Sequence, residues 1–193
     1  MSVVSEERFA SGFLWEDYMR NSEKNLERFH DNYDKFTLEG EDAGFFAAVD
    51  TPVKVLILAE DWCGDVVQSL PPIIRMLEAS PSIAYRIFRR DENPDIMDRY
   101  LTDGSKAIPY LVFMDADRNE LARWGPRPDA CQAIMRDNKG RIPMEEIYPR
   151  IRSWYRQNGN GPLVTEIRDV LERIERTERT ERTERTERTE RTA

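Results

Sequence analysis

The chain has 193 residues, 39% of them hydrophobic and 34% charged, with a formal net charge of −8 and an isoelectric point near 4.9. That apolar content supports a domain-sized core and excludes a wholly disordered chain, and the acidic balance has the wrong sign for gripping nucleic-acid phosphates or anionic membranes. Two cysteines, Cys63 and Cys131, make no disulfide framework, and the longest apolar run, 53–59, is about a third of a membrane span. The N-terminus lacks the basic start and apolar stretch of a secretory signal, so a soluble cytoplasmic protein is the expectation.

Residues 5–50 read as helical. Phe9, Phe13 and Tyr18 suggest a first helix, and Leu26, Phe29, Tyr33 and Phe36 lie three, seven and ten positions along one face of a second. Phe45, Phe46 and Val49 suggest a short third. Such faces need a partner to bury them, so the segment is expected to dock on the domain that follows. From residue 53 the period changes. The β-branched run 53–59 suits a central strand covered on both faces. A helical pattern follows through Val66, Val67, Leu70, Ile73, Ile74 and Leu77, with Pro71 and Pro72 inside it. Next come a strand over Ile83–Arg89, a turn and helix from Pro94 through Tyr100, strands at Tyr110–Met114 and Glu120–Trp124, and helices from about Asp129 to Arg136 and from Met144 to Tyr155. The order βαβαββα predicts a small α/β sheet with helices on both faces.

Residues 158–162, Asn-Gly-Asn-Gly-Pro, form a breaker cluster that reads as a boundary. Leu163, Ile167, Val170, Leu171 and Ile174 then give an amphipathic helix, which runs into six Glu-Arg-Thr triplets over 175–192. Glu175 has an Arg four residues on at Arg179, a spacing that the repeat carries forward and that favours helix. A three-residue repeat keeps no face apolar, and its threonines lower helix propensity, so a solvated, fraying helix or disorder is expected there. The expected organisation is a helical extension over 1–50, an α/β domain over 51–157, a linker and amphipathic helix over 158–174 and the repeat tail over 175–193.

The residue with the clearest chemical rationale is Cys63. It stands directly after the central strand at the start of a helix, where N-terminal amides stabilise a thiolate. Trp62 is placed to shield the thiol, Gly64 lets the chain turn into the helix, and Asp65 is a like charge that opposes ionisation.

Trp62-Cys63-Gly64-Asp65 resembles the Trp-Cys-Gly-Pro redox loop of the thioredoxin superfamily, and four further landmarks agree in order. Pro71 stands where that family has its helix-kinking proline, and Asp91-Glu-Asn-Pro94 resembles the turn ending the next strand. Ala107-Ile108-Pro109-Tyr110 is similar to the segment whose cis proline faces the reactive thiol, and Gly125 matches the glycine lining the same surface. The resemblance spans about 50–157 and implies a thioredoxin-like fold, a central mixed sheet with helices on both faces. It departs from the family where the chemistry is most specific. Val66 holds the position of the resolving cysteine, Ile57 replaces the buried acid that serves that second thiol, and Ala59 replaces the aromatic residue before the loop. With Gly125-Pro-Arg127-Pro, the loop looks most like that of bacterial thioredoxin-like proteins carrying an N-terminal helical extension.

The resemblance therefore implies a thiol-disulfide protein with Cys63 as its single active-site cysteine. Its mixed disulfides with a protein or small-molecule thiol would be resolved from outside. Trp62, Gly64, Asp65 and Val66 form the loop, and Ile108, Pro109, Gly125 and Arg127 border the substrate groove. No bound cofactor is implied, with glutathione as the candidate co-substrate. The alternative is a catalytically inactive binding module using the same groove for a peptide or protein partner. Arg127 either meets an anionic ligand such as glutathione or stands solvated. Cys131 reads as a packing cysteine, with a distant resolving thiol as the alternative. His30, the only histidine, reads as a helix-surface or packing residue, and metal clusters have no second histidine to draw on. Asp115, Asp117 and Asn119 imitate the first ligands of a calcium loop, but Glu120 stands where that loop needs glycine, so they read as a hairpin turn.

Overall fold

A computed structural model describes residues 2–192. Its framework is a four-stranded sheet in the order β2-β1-β3-β4. β1 (Val53–Ala59) pairs in parallel with β2 (Ile83–Arg89) and antiparallel with β3 (Tyr110–Met114). β3 in turn pairs antiparallel with β4 (Glu120–Trp124), with a register shift at Phe113/Met114. β1 is apolar on consecutive residues because both its faces are covered: six of its seven residues are buried. At roughly 1.5–3 kcal/mol per fully buried large aliphatic side chain, this strand and its neighbours hold the centre of the core.

The crossover between β1 and β2 is α5 (Gly64–Glu78), which contains Pro71 and Pro72 without being ended by them. Its length and burial follow the apolar spacing, since Val66, Val67, Leu70, Ile73, Ile74 and Leu77 are all inaccessible to solvent. α6 is shorter than expected, Pro94–Met97, and the chain reaches Tyr100 through tightened turns in which Arg99 and Tyr100 donate to the carbonyls three residues back.

The N-terminal extension forms four helices, α1 (Glu6–Ala10), α2 (Trp15–Arg20), α3 (Leu26–Lys35) and α4 (Gly40–Ala48). The expected first helix through Phe9, Phe13 and Tyr18 is two helices instead. Between them Phe13 exchanges both backbone hydrogen bonds with Ile87, at 2.8 Å each, and so covers the exposed edge of β2. Gly12 makes that approach possible, because a Cβ there would lie 2.7 Å from the Phe88 ring. α3 packs along α5, with the Asn32 amide donating to the Val67 carbonyl at 2.8 Å. Phe9, Tyr18, Phe29 and Phe46 belong to the same apolar cluster as β1.

Two departures lie beyond β4. α7 (Asp129–Asn138) and α8 (Met144–Asn158) form a helical hairpin with a small core of its own, made of Cys131, Met135, Ile147, Ile151 and Tyr155. α9 (Gly161–Thr192) follows with almost no connection. The breaker cluster at 158–162 therefore turns the chain sharply and marks no break in the core. Leu163, Val164, Ile167, Val170, Leu171 and Ile174 of α9 lie in the cluster that contains β1, and α9 covers β4 and α4. Ile174 is the last core residue. Past it the backbone stays helical through the repeat, and the hydroxyls of Thr177, Thr180 and Thr183 donate back to carbonyls one turn earlier. Among the described residues, no helix is long and apolar enough to cross a membrane.

Candidate functional site

Cys63 is the N-cap of α5, with extended backbone angles. Its N–H donates to the Glu60 carbonyl at 3.2 Å and its carbonyl accepts from Val67 at 3.0 Å, so residues 60–63 make a tight turn from β1 into the helix. The thiol is half-buried and donates to the Ile108 carbonyl at 3.6 Å. The Ile108–Pro109 peptide is cis, as is Gly125–Pro126. Gly125 has a φ of +126°, and a Cβ on it would lie 2.3 Å from the Pro109 carbonyl oxygen, so this close approach requires glycine. The structure thus brings Cys63, Ile108, Pro109 and Gly125 to one end of the sheet.

The loop before the cysteine is anchored from two sides, through Asp61 and Glu60, neither of which the sequence singles out. The Asp61 carboxylate accepts from the backbone N–H groups of Glu23 at 2.8 Å and Lys24 at 3.1 Å, and the Asn25 amide donates to the Asp61 carbonyl at 2.8 Å. Glu60 is buried and accepts from the Asp91 N–H at 2.8 Å; burial raises its pKa against that hydrogen bond. Trp62 is exposed and stacks under the Arg90 guanidinium, 4.8 Å from the ring centroid.

Arg127 departs from both of its expected roles. It is buried, and it grips Asp65 with two donors, one of them at 2.9 Å, while a third reaches the Gln132 side chain at 2.8 Å. Burial works against its charge, yet the Asp65 carboxylate outweighs burial and raises its pKa. This fork-to-carboxylate pair ties the start of α5 to the start of α7. Both its charges also act on Cys63. Burial pushes the thiol above its ordinary value and the Asp65 charge adds to that, while the N–H groups of Val66 and Asp65 and the Arg127 charge pull the other way without prevailing. The helix end alone predicts the opposite direction.

Val66 is fully buried and Cys131 lies in the hairpin core, its thiol pushed up to about 12 chiefly by burial. His30 is exposed on α3. The Asp115 carboxylate accepts from the backbone and side-chain N–H groups of Asn119 at 2.8 and 2.9 Å, closing the β3–β4 hairpin. Among the described residues, no group of three histidine, cysteine or carboxylate side chains is arranged to hold a metal.

The α7–α8 hairpin lines both openings beside the thiol. A cavity of about 660 Å³ opens on one side of Cys63, between Arg28 of α3, the loop, and Tyr148, Ile151, Arg152 and Tyr155 of α8. A second, of about 590 Å³, opens on the other side toward Ile108, Lys106 and Met144. Tyr148, Ile151, Arg152 and Tyr155 are spaced three, four and seven apart, a helix face that periodicity does show; only the fold says what it faces.

A family model described as thioredoxin matches residues 12–140, more than half of the chain. The chain belongs to the thioredoxin family. This match begins well before residue 50, within the extension whose Phe13 completes the sheet edge. No curated protein matches the sequence. Among solved structures, this thioredoxin-family chain is similar to an HIV epitope-scaffold, with 20% identity, a TM-score of 0.63, and coverage of 89% of this chain and 98% of that one. It is equally similar to a protein of unknown function from Pseudomonas aeruginosa, with 19% identity, a TM-score of 0.63, and coverage of 90% and 99%. At these identities the likeness is one of fold.

Proposed function

We propose that this thioredoxin-family protein is a monothiol exchange protein, of the branch whose Trp-Cys-Gly-Asp loop lacks the resolving cysteine. Cys63 forms mixed disulfides that an external thiol resolves. The observation that carries this reading is the setting of the Cys63 sulfur: half-buried beside Ile108 and Pro109, between two cavities that can admit a disulfide. Val66 offers no second thiol at the loop, and Cys131 is sequestered, so release falls to a thiol from outside. The upward shift of the Cys63 thiol lowers its thiolate fraction at neutral pH. Nucleophilicity rises with thiol pKa, so exchange is slowed rather than abolished and accelerates with pH.

That same upward shift favours a second reading, a binding module whose groove holds a peptide or protein partner without exchange. Incubation with oxidised glutathione followed by intact mass measurement separates the two. Exchange predicts one glutathione adduct per chain, absent from Cys63→Ser and released by added thiol; a chain that stays unmodified at alkaline pH supports the binding module.

A further inference from the structure

The larger cavity beside Cys63 is lined by arginines that have no carboxylate partner. Its charged lining residues are Arg28, Arg152, Arg156 and Asp65. Asp65 is taken up by the two-donor grip of Arg127. Among the described residues, Arg28, Arg152 and Arg156 form no ion pair; Arg28 has only a 3.3 Å hydrogen bond to Asn25. Of the five cations lining the second cavity, four are paired, Arg90 with Asp91, Lys106 with Asp98, Arg127 with Asp65 and Arg136 with Asp137, and Lys139 donates to the Ser105 hydroxyl. Three exposed arginines without carboxylate partners thus line one cavity beside a thiol in a chain of net charge −8. Trp62, Tyr148 and Tyr155 supply aromatic surface in the same cavity, and its volume lies within the range typical of small-molecule sites, about 300–1,000 Å³.

We infer that this cavity takes the anionic arm of a small carboxylate-bearing disulfide, making such disulfides the substrate class of Cys63. The inference rests on the exchange reading above. Guanidinium groups suit carboxylates through paired donors, and three of them, one from α3 and two from α8, line the cavity in which an anion would place its sulfur at the thiol. In the reaction Cys63 releases its proton to solvent and its sulfur attacks one sulfur of the disulfide. The S–S bond breaks, a Cys63 mixed disulfide forms, and the other half leaves as a thiolate that takes up a proton. The disulfide is the oxidant, and the thiol released is its reduced half.

The test compares three disulfides on the full chain: dithiodipropionate, an anion; hydroxyethyl disulfide, neutral; and cystamine, a cation. Rates of Cys63 adduct formation are read by intact mass, each divided by the rate of the same reagent with the neutral model thiol N-acetylcysteine amide. The global charge of −8 by itself favours cystamine. The cavity predicts the reverse order, with dithiodipropionate roughly tenfold or more ahead of cystamine at low ionic strength and the ratio shrinking toward one in high salt. Arg152→Gln/Arg156→Gln is expected to lower the ratio of the anionic to the neutral rate several-fold. Arg150→Gln, which removes the same kind of charge from α8 outside the cavity, is expected to leave that ratio unchanged. Cystamine reacting as fast as dithiodipropionate, or Arg150→Gln lowering the ratio as much as the cavity pair does, overturns the inference while leaving exchange intact. An absence of adduct with all three reagents removes the exchange reading and this inference together.

Discussion

Cys63 shows how one side chain's behaviour depends on opposing neighbours. The amides at the start of α5 favour a thiolate, but burial and Asp65 prevail, and the thiol sits above its ordinary value. Because the thiolate is the reacting species, its alkylation by iodoacetamide is expected to keep rising with pH beyond the free-cysteine value of about 8.5 and to level off only above it. A plateau below that value would mean that the helix end dominates. Cys131, buried and pushed up to about 12, is expected to stay unmodified in the native chain, so one adduct per molecule is the expected count. The Asp65–Arg127 pair is the most consequential buried polar contact near the site. Arg127→Ala leaves the Asp65 charge without its partner and is expected to cost about 3–5 kcal/mol, measured by denaturant unfolding. Replacing both residues by leucine is expected to recover much of that loss, because two desolvated charges give way to apolar packing. Gly125→Ala meets the Pro109 carbonyl in a backbone conformation unfavourable to side chains; the conformation alone is expected to cost about 1–3 kcal/mol of thermal stability, before the clash is counted.

At the scale of elements, the α7–α8 hairpin is set apart. Its five buried residues form a cluster separate from the main core, and it is tied to the body by the Asp65–Arg127 pair, by the Ser69–Tyr155 hydroxyl contact at 3.2 Å and by Lys139 donating to Ser105 at 2.6 Å. A unit with its own core and few ties opens more readily than the sheet it covers. Ile147→Ala removes a fully buried side chain from that small core, a truncation worth about 2–5 kcal/mol. Native-state hydrogen exchange is expected to show residues 129–158 losing protection while β1 amides keep theirs. Uniform loss across both would show that the hairpin and sheet unfold as one. The helix periodicity of 144–155 was legible in the chain. The hairpin's place over Cys63 was not, because an amphipathic face announces that it is buried without naming its partner.

For the molecule as a whole, the core closes at Ile174. Truncation after Glu175 keeps the carboxylate that accepts from the Asp50 N–H and removes only the repeat helix, so the melting temperature is expected to move by less than about 3 °C. Truncation before Leu163 removes six buried apolar residues from the main cluster and is expected to abolish cooperative unfolding. The chain alone determined the sheet's strands, the long proline-bearing helix and the cysteine at the head of α5, because these follow from local periodicity and neighbours in sequence, while the glycine at 125 was marked by the family resemblance. Tertiary structure decided the rest. Phe13 became a sheet edge because β2 had unpaired backbone groups to satisfy. Arg127 went to Asp65 because burial left it no solvent to turn to. The arginines at 28, 152 and 156, far apart along an acidic chain, came to line one cavity because the fold brings α3 and α8 to the same cysteine.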